Sequence, residues 1–199
     1  MIGLGVGFFG FMGGSAAVRG AMDQLPNELI LPSEILQLES DGDEGQLIVA
    51  LAYPFQMIFE QVKKTPSLIH DFSHSPRAFE EFIAAAYHKA GFKVTLTPQS
   101  GDLGRDVIAE KEGFGAIRLI DQCKALGKGN RVTPNDVRAL MGTLMRDTNS
   151  SKAVLTTTSV FSPSVIEEWK LYMPNRLELR EGDDIVRWID ELNRKGGNS

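Results

Sequence analysis

Asp106, Gln122 and Lys124 are the side chains whose types and spacing could do chemistry. In an extended strand, residues two apart share a face, so Gln122 and Lys124 point one way and Cys123 the other, as a packed core thiol. With the preceding turn centred near Phe114, Asp106 falls opposite or nearly opposite Gln122, within the roughly 5 Å typical of cross-strand neighbours. A carboxylate, an amide oxygen and an ammonium then converge. That set suits phosphodiester hydrolysis. A carboxylate can hold Mg²⁺, and the cation polarises a phosphoryl oxygen and acidifies a water. Lys124 would position the attacking hydroxide or stabilise the negative charge that develops on the pentacovalent phosphate. The competing reading is a solvated sheet edge with an Asp106–Lys124 salt bridge, which composition by itself favours, because Asp and Lys are common on strands. Register decides between them, since a slip of one residue reverses a strand's face.

The elements that must position these residues are legible from residue 75 onward. Ser75 is placed to cap a helix whose first position is Pro76, and Phe79, Phe82, Ile83, Ala86 and Ala90 recur at helical spacing until Gly91. Residues 92–97 alternate apolar with polar as a half-buried strand should, and 106–110 with 116–124 read as a β-hairpin around residues 111–115. Thr133 and Pro134 open a helix running to about Arg146, and 152–157 is a β-branched strand. A helix over 163–171, a strand near Leu177 and a helix over 183–192 complete the order α-β-β-β-α-β-α-β-α. The expected fold is α/β, a mixed sheet flanked by helices.

The run Phe79-Glu80, then Gly91-Phe92, then Gly101-Asp102-Leu103-Gly104-Arg105-Asp106-Val107-Ile108-Ala109, then Gln122-Cys123-Lys124 resembles the catalytic domain of Mrr-like restriction endonucleases, a branch of the PD-(D/E)xK nucleases. Val154-Leu155-Thr156-Thr157 and Phe161-Ser162 continue the resemblance, which therefore rests on several motifs in order across the last part of the chain. It implies a restriction-endonuclease-like fold and a Mg²⁺- or Mn²⁺-dependent DNA endonuclease, acting in restriction or defence against foreign or modified DNA. Carried over residue by residue, it makes Asp106 the metal-binding acid, Gln122 the branch's variant of the usual second acid, the Cys123 backbone carbonyl a further metal donor and Lys124 the catalytic lysine. Glu80 matches a supporting acid, with Glu81 adjacent as a competitor for that role. Arg105 stands where the branch often has a small or aliphatic residue, and it joins Lys128 and Arg131 as an expected DNA contact, because basic side chains hold a nucleic-acid backbone without reading sequence. For Lys128 and Arg131 the plain alternative is a solvated loop.

Composition bounds the partners. The chain of 199 residues carries a net charge of -5, which excludes a generally basic nucleic-acid coat. The imbalance sits in residues 1–70, where Arg19, Lys63 and Lys64 face eight acids, while the remainder balances 18 basic against 18 acidic side chains. A DNA-binding surface must therefore be local. The single cysteine excludes an internal disulfide and a cysteine-based zinc site, which points to a reducing, cytoplasmic setting. His70, His74 and His88 show no ligand spacing.

Residues 1–70 read as an N-terminal extension before a nuclease domain over 71–199. Met1–Val18 has no charged side chain and six glycines, a borderline length for a bilayer span, and it offers the alternative of membrane association facing the cytoplasm. No basic residue precedes it, as a cleaved signal peptide would require. Gly5, Gly7 and Gly10 satisfy a dinucleotide-binding spacing, but no strand can precede residue 5. The apolar run 47–59 is interrupted by Pro54, and 65–75 reads as a linker. No separate base-reading domain is visible, so target choice is expected from a protein partner, and a homodimer would bring two sites to the two strands of a duplex. DNA repair or junction cleavage on the same fold is the first alternative. A non-catalytic membrane- or partner-binding module is the second.

Overall fold

A computed structural model describes residues 28–99 and 104–196. The Met1–Val18 run, its glycine motif and Gly101–Leu103 of the quoted motif lie outside the described residues. In chain order the elements are β1 (Leu36–Gly42), β2 (Gly45–Ala50), α1 (Ala52–Lys64), a 3-10 helix (Pro66–His74), α2 (Pro76–Lys89), β3 (Lys93–Leu96), β4 (Val107–Lys111) and β5 (Ile117–Lys124). After them come β6 (Arg131–Val132), α3 (Pro134–Arg146), β7 (Lys152–Thr157), β8 (Val160–Phe161), α4 (Pro163–Trp169), β9 (Leu177–Arg180) and α5 (Gly182–Gly196). Among the described residues, no helix is long and apolar enough to cross a membrane.

Seven strands form a mixed sheet in the order β1-β2-β3-β4-β5-β7-β9, antiparallel as far as β5 and parallel from β5 through β7 to β9. Strand alternation sorts the side chains onto two cores. Val107, Ala109 and Leu119 pack with α1, α2 and α5 through Phe55, Phe82 and Ile185. Ile108 and Ile120 pack on the other face with Val137 and Leu140 of α3 and Val165 of α4. By the same parity Asp121 and Cys123 turn toward the first core, and Gln122 and Lys124 toward α3. Short β6 and β8 pair in parallel beside the main sheet.

Residues set apart by the sequence as an extension supply β1, β2 and α1 to this same sheet and core. The stretch read as a linker is instead the 3-10 helix, with Leu68, Ile69 and Phe72 buried. Phe72 stacks on Phe82 at 5.6 Å between ring centroids, and Phe55 on Phe82 at 5.2 Å, so one aromatic group joins three helices. Pro54 does not break a helix. It stands in the first turn of α1, where its missing N–H has no intrahelical carbonyl to bond. Pro76 opens α2 as expected, although the Ser75 side chain makes no cap bond.

Asp43 and Glu44 turn the β1–β2 hairpin, and Gly45 follows at φ 147°, where a Cβ would stand 2.4 Å from the Leu96 carbonyl oxygen and 2.9 Å from the Thr97 Cα. Both neighbours are backbone, so neither can rotate away. Gly45→Ala should therefore push β2 off β3 and lower unfolding free energy by about 2–3 kcal/mol. Gly42→Ala, whose Cβ would meet the Gly45 carbonyl oxygen at 3.4 Å, is the milder control. Urea denaturation of both variants checks this, and equal midpoints would count against the close β2–β3 approach.

Candidate active site

Asp106 lies one residue before β4 and is fastened to the end of β5. Its N–H donates to the Asp121 carbonyl at 2.9 Å, and its carboxylate accepts the Cys123 N–H at 2.6 Å, so the two bonds bracket Gln122. The ladder pairs Val107 with Asp121, in line with a turn centred near residue 114. Thr97, buried at the end of β3, donates its N–H to the Asp106 carbonyl at 3.0 Å and its hydroxyl to the carbonyls of Arg105 and Asp106. Arg77 of α2 then donates to the Thr97 carbonyl at 2.9 Å and to Glu80 at 2.8 Å. The carboxylate of Asp106 is thus positioned by three elements, and that of Glu80 is held by Arg77. Burial pushes the Cys123 thiol well above its ordinary range, with the carboxylates of Asp121, Asp106 and Glu80 adding to the effect.

Gln122 presents a buried Oε1 that has no hydrogen-bond partner among the described residues, a condition that ordinarily costs about 1–3 kcal/mol. Gly104, at φ 76°, lies over the same amide. A Cβ there would stand 3.5 Å from Gln122 Nε2 and 3.6 Å from Thr143 Oγ1. The donors that this strand end offers are a carboxylate, an amide oxygen and the Cys123 main-chain carbonyl, all hard oxygens. They fit Mg²⁺, which binds through few protein oxygens and keeps several waters. Among the described residues no group of three His, Cys, Asp or Glu side chains could hold a metal ion.

Lys124 closes β5 on the same face as Gln122. Its Nζ lies 3.3 Å from Asp136 Oδ1 in the first turn of α3, so Lys124 pairs with Asp136 where the competing reading had an Asp106 salt bridge. Asp136 Oδ2 accepts the N–H of Thr133 at 2.9 Å and its hydroxyl at 2.7 Å, as half of a capping box. Burial raises the Asp136 carboxyl, but the Thr133 bonds and the Lys124 charge outweigh it and hold the group below its ordinary value.

The expected DNA contacts separate. Arg105 is engaged elsewhere: its guanidinium pairs with Glu44 at 3.0 Å and Asp147 at 3.2 Å, with only 13% of the side chain exposed. Its role is to help Arg118, which also binds Glu44, tie the β1–β2 hairpin to the sheet. Lys128 and Arg131 are exposed in the loop and short strand that follow Lys124.

Two acids went unnoticed in the sequence. Asp136 was readable in principle, because Thr133-Pro134-Asn135-Asp136 has the capping-box spacing. Asp121 sits beside Gln122 but on the other face, 1% exposed, where Tyr87 donates to it at 2.9 Å and Thr156 at 2.8 Å. Arg180 donates to the Tyr87 hydroxyl at 3.1 Å, pairs with Glu178 at 2.7 Å and stacks 4.3 Å from the Trp188 ring centroid. Burial, only partly offset by Arg180 and the two hydroxyl bonds, lifts the Asp121 carboxyl to about 7. Asp121 thus points into this cluster, on the face of β5 opposite Gln122.

Comparison with known proteins adds a family and a fold. The family model Mrr_cat, described as restriction endonuclease, matches residues 73–189. Several solved structures are similar, among them the following three. The DNA modification-dependent restriction endonuclease AspBHI aligns with TM-score 0.49 and 18% identity over 84% of this chain and 45% of its own. The MspJI restriction endonuclease in complex with a 27-mer oligonucleotide aligns with TM-score 0.46 and 16% identity over 85% of this chain and 37% of its own. Restriction endonuclease FokI aligns with TM-score 0.51 and 11% identity over 73% of this chain and 28% of its own, a likeness of fold. The chain thus spans less than half the length of each. No curated protein matches it in sequence.

Proposed function

The chain belongs to the Mrr_cat restriction endonuclease family, and from that premise we propose that it is a metal-dependent endonuclease hydrolysing DNA phosphodiester bonds, with restriction of foreign or modified DNA as its role. The observation that carries the chemistry is the Asp106 carboxylate fastened to the end of β5 by the Cys123 N–H, where Gln122, whose buried Oε1 has no partner among the described residues, and Lys124 share one face of the strand. Asp106, Gln122 and the Cys123 carbonyl would hold the ion. When bound, Mg²⁺ or Mn²⁺ supplies polarisation of a phosphoryl oxygen and an acidified water.

The chain's own residues do the rest. Asp106 keeps its orientation because the Cys123 N–H holds the carboxylate and Thr97 holds the backbone behind it. Lys124 is a flexible ammonium able to donate to the attacking oxygen or to the phosphate oxygen on which charge accumulates, a stabilisation exerted more strongly in the transition state than before it. Water oxygen bonds to phosphorus and releases a proton to solvent, the phosphorus–oxygen bond to the leaving sugar breaks, and that oxygen takes up a proton from solvent as it departs. Exposed Lys128 and Arg131 would meet the phosphate backbone on the way out of the site.

Methylated and unmethylated supercoiled plasmids offered to the purified protein test this reading. Cutting is expected with Mg²⁺ or Mn²⁺, should vanish in EDTA and should return when excess metal is restored. A protein that never cut either plasmid, or cut equally well in EDTA, would remove the proposal. Preference for one methylation state decides the restriction role.

A further inference from the structure

Asp136 has two carboxylate oxygens with separate jobs. Oδ2 is taken by Thr133, through its N–H and its hydroxyl, and this finishes the capping of α3. Oδ1 is not needed for the cap, and it lies 3.3 Å from Lys124 Nζ. We propose that Asp136 is a positioning residue for the catalytic lysine, its Oδ1 anchoring Lys124 Nζ on the face of the sheet that carries Gln122. The proposal rests on the endonuclease reading above.

The physical need is plain. A lysine reaches its target through four rotatable bonds, and freezing them costs up to about 2 kcal/mol. An anchor that is itself rigid removes part of that cost before DNA arrives. Asp136 is such an anchor, because the two Thr133 bonds fix its plane and the helix fixes its backbone. The strand end is equally fixed, since the Lys124 carbonyl accepts the Thr157 hydroxyl at 2.8 Å and the Thr158 N–H at 3.2 Å. An ammonium has three donors, so a bond to Asp136 leaves two for a phosphate oxygen and a water. With Gln122 neutral, Asp136 also supplies negative charge on this side of the sheet.

The test compares native protein with Asp136→Asn, Asp136→Glu and Lys124→Ala, measuring kcat and KM on a duplex substrate alongside the thermal midpoint. Asparagine keeps an oxygen for Thr133 but loses the charge. Its kcat should fall about tenfold with KM and the midpoint close to native. Glutamate, the commoner capping-box acid, should recover most of that loss. A native kcat in Asp136→Asn with an inactive Lys124→Ala would overturn the anchor and leave the endonuclease reading standing. A fully active Lys124→Ala would overturn both. Loss in Asp136→Asn that followed a fallen midpoint and was not recovered by glutamate would reduce Asp136 to a helix cap and overturn its positioning role.

Discussion

Asp106→Asn should lower the rate of metal-dependent cleavage by at least about a thousandfold while leaving the protein folded. Metal-assisted charge stabilisation contributes several kcal/mol to a transition state, and each 1.36 kcal/mol is a factor of ten in rate. Asparagine is the informative replacement because an amide oxygen can still accept the Cys123 N–H, which the carboxylate accepts at 2.6 Å. Alanine would orphan that donor and confuse loss of the site with loss of stability. The variant should also lose most of its affinity for Mn²⁺, measured by calorimetry without DNA. Native-rate cleavage by folded Asp106→Asn would show that the metal is held elsewhere. Normal Mn²⁺ affinity with lost cleavage would move Asp106 from metal ligand to substrate contact.

The face-sharing of Gln122 and Lys124 was readable because strand parity is local, and the hairpin register was readable because a turn centred near Phe114 leaves little choice. Arg105 lies before β4, beside a bend at Asp106, where strand parity does not reach. Its binding partners were out of reach, since Glu44 and Asp147 come from a hairpin and a helix end far along the chain. Likewise the partner of Lys124 depends on where α3 crosses the sheet. The N-terminal strands were hidden for a different reason. β1 is exposed along nearly its whole length, so its residues carry little alternation, and β2 passes into α1 within one apolar run, so hydrophobicity does not mark the boundary. Pro54 then read as an interruption although it marks a helix start.

Asp121→Asn should change how stability depends on pH in metal-free protein. The Asp121 carboxyl is ordinarily half-titrated near 3.8 and is lifted to about 7 in the fold. Between those values the folded state holds a proton that the unfolded state has released. Stability from this group is therefore fully present below pH 3.8 and is lost as pH rises through about 7, a change on the order of 4 kcal/mol. Asparagine can accept the Tyr87 and Thr156 hydroxyls with its oxygen and place its nitrogen where Asp121 Oδ1 has no partner among the described residues, so it imitates the protonated acid without titrating. Asp136, Asp147 and Glu178, held below their ordinary values, contribute the opposite slope, but they do so in both proteins and cancel in the difference. Urea denaturation of the two proteins in EDTA from pH 4.5 to 8 should show the variant gaining on the native protein as pH rises. A difference that stayed constant would mean that Asp121 is ionised throughout, and that Arg180, with Glu178 beside it, neutralises the buried carboxylate more fully than its burial opposes it.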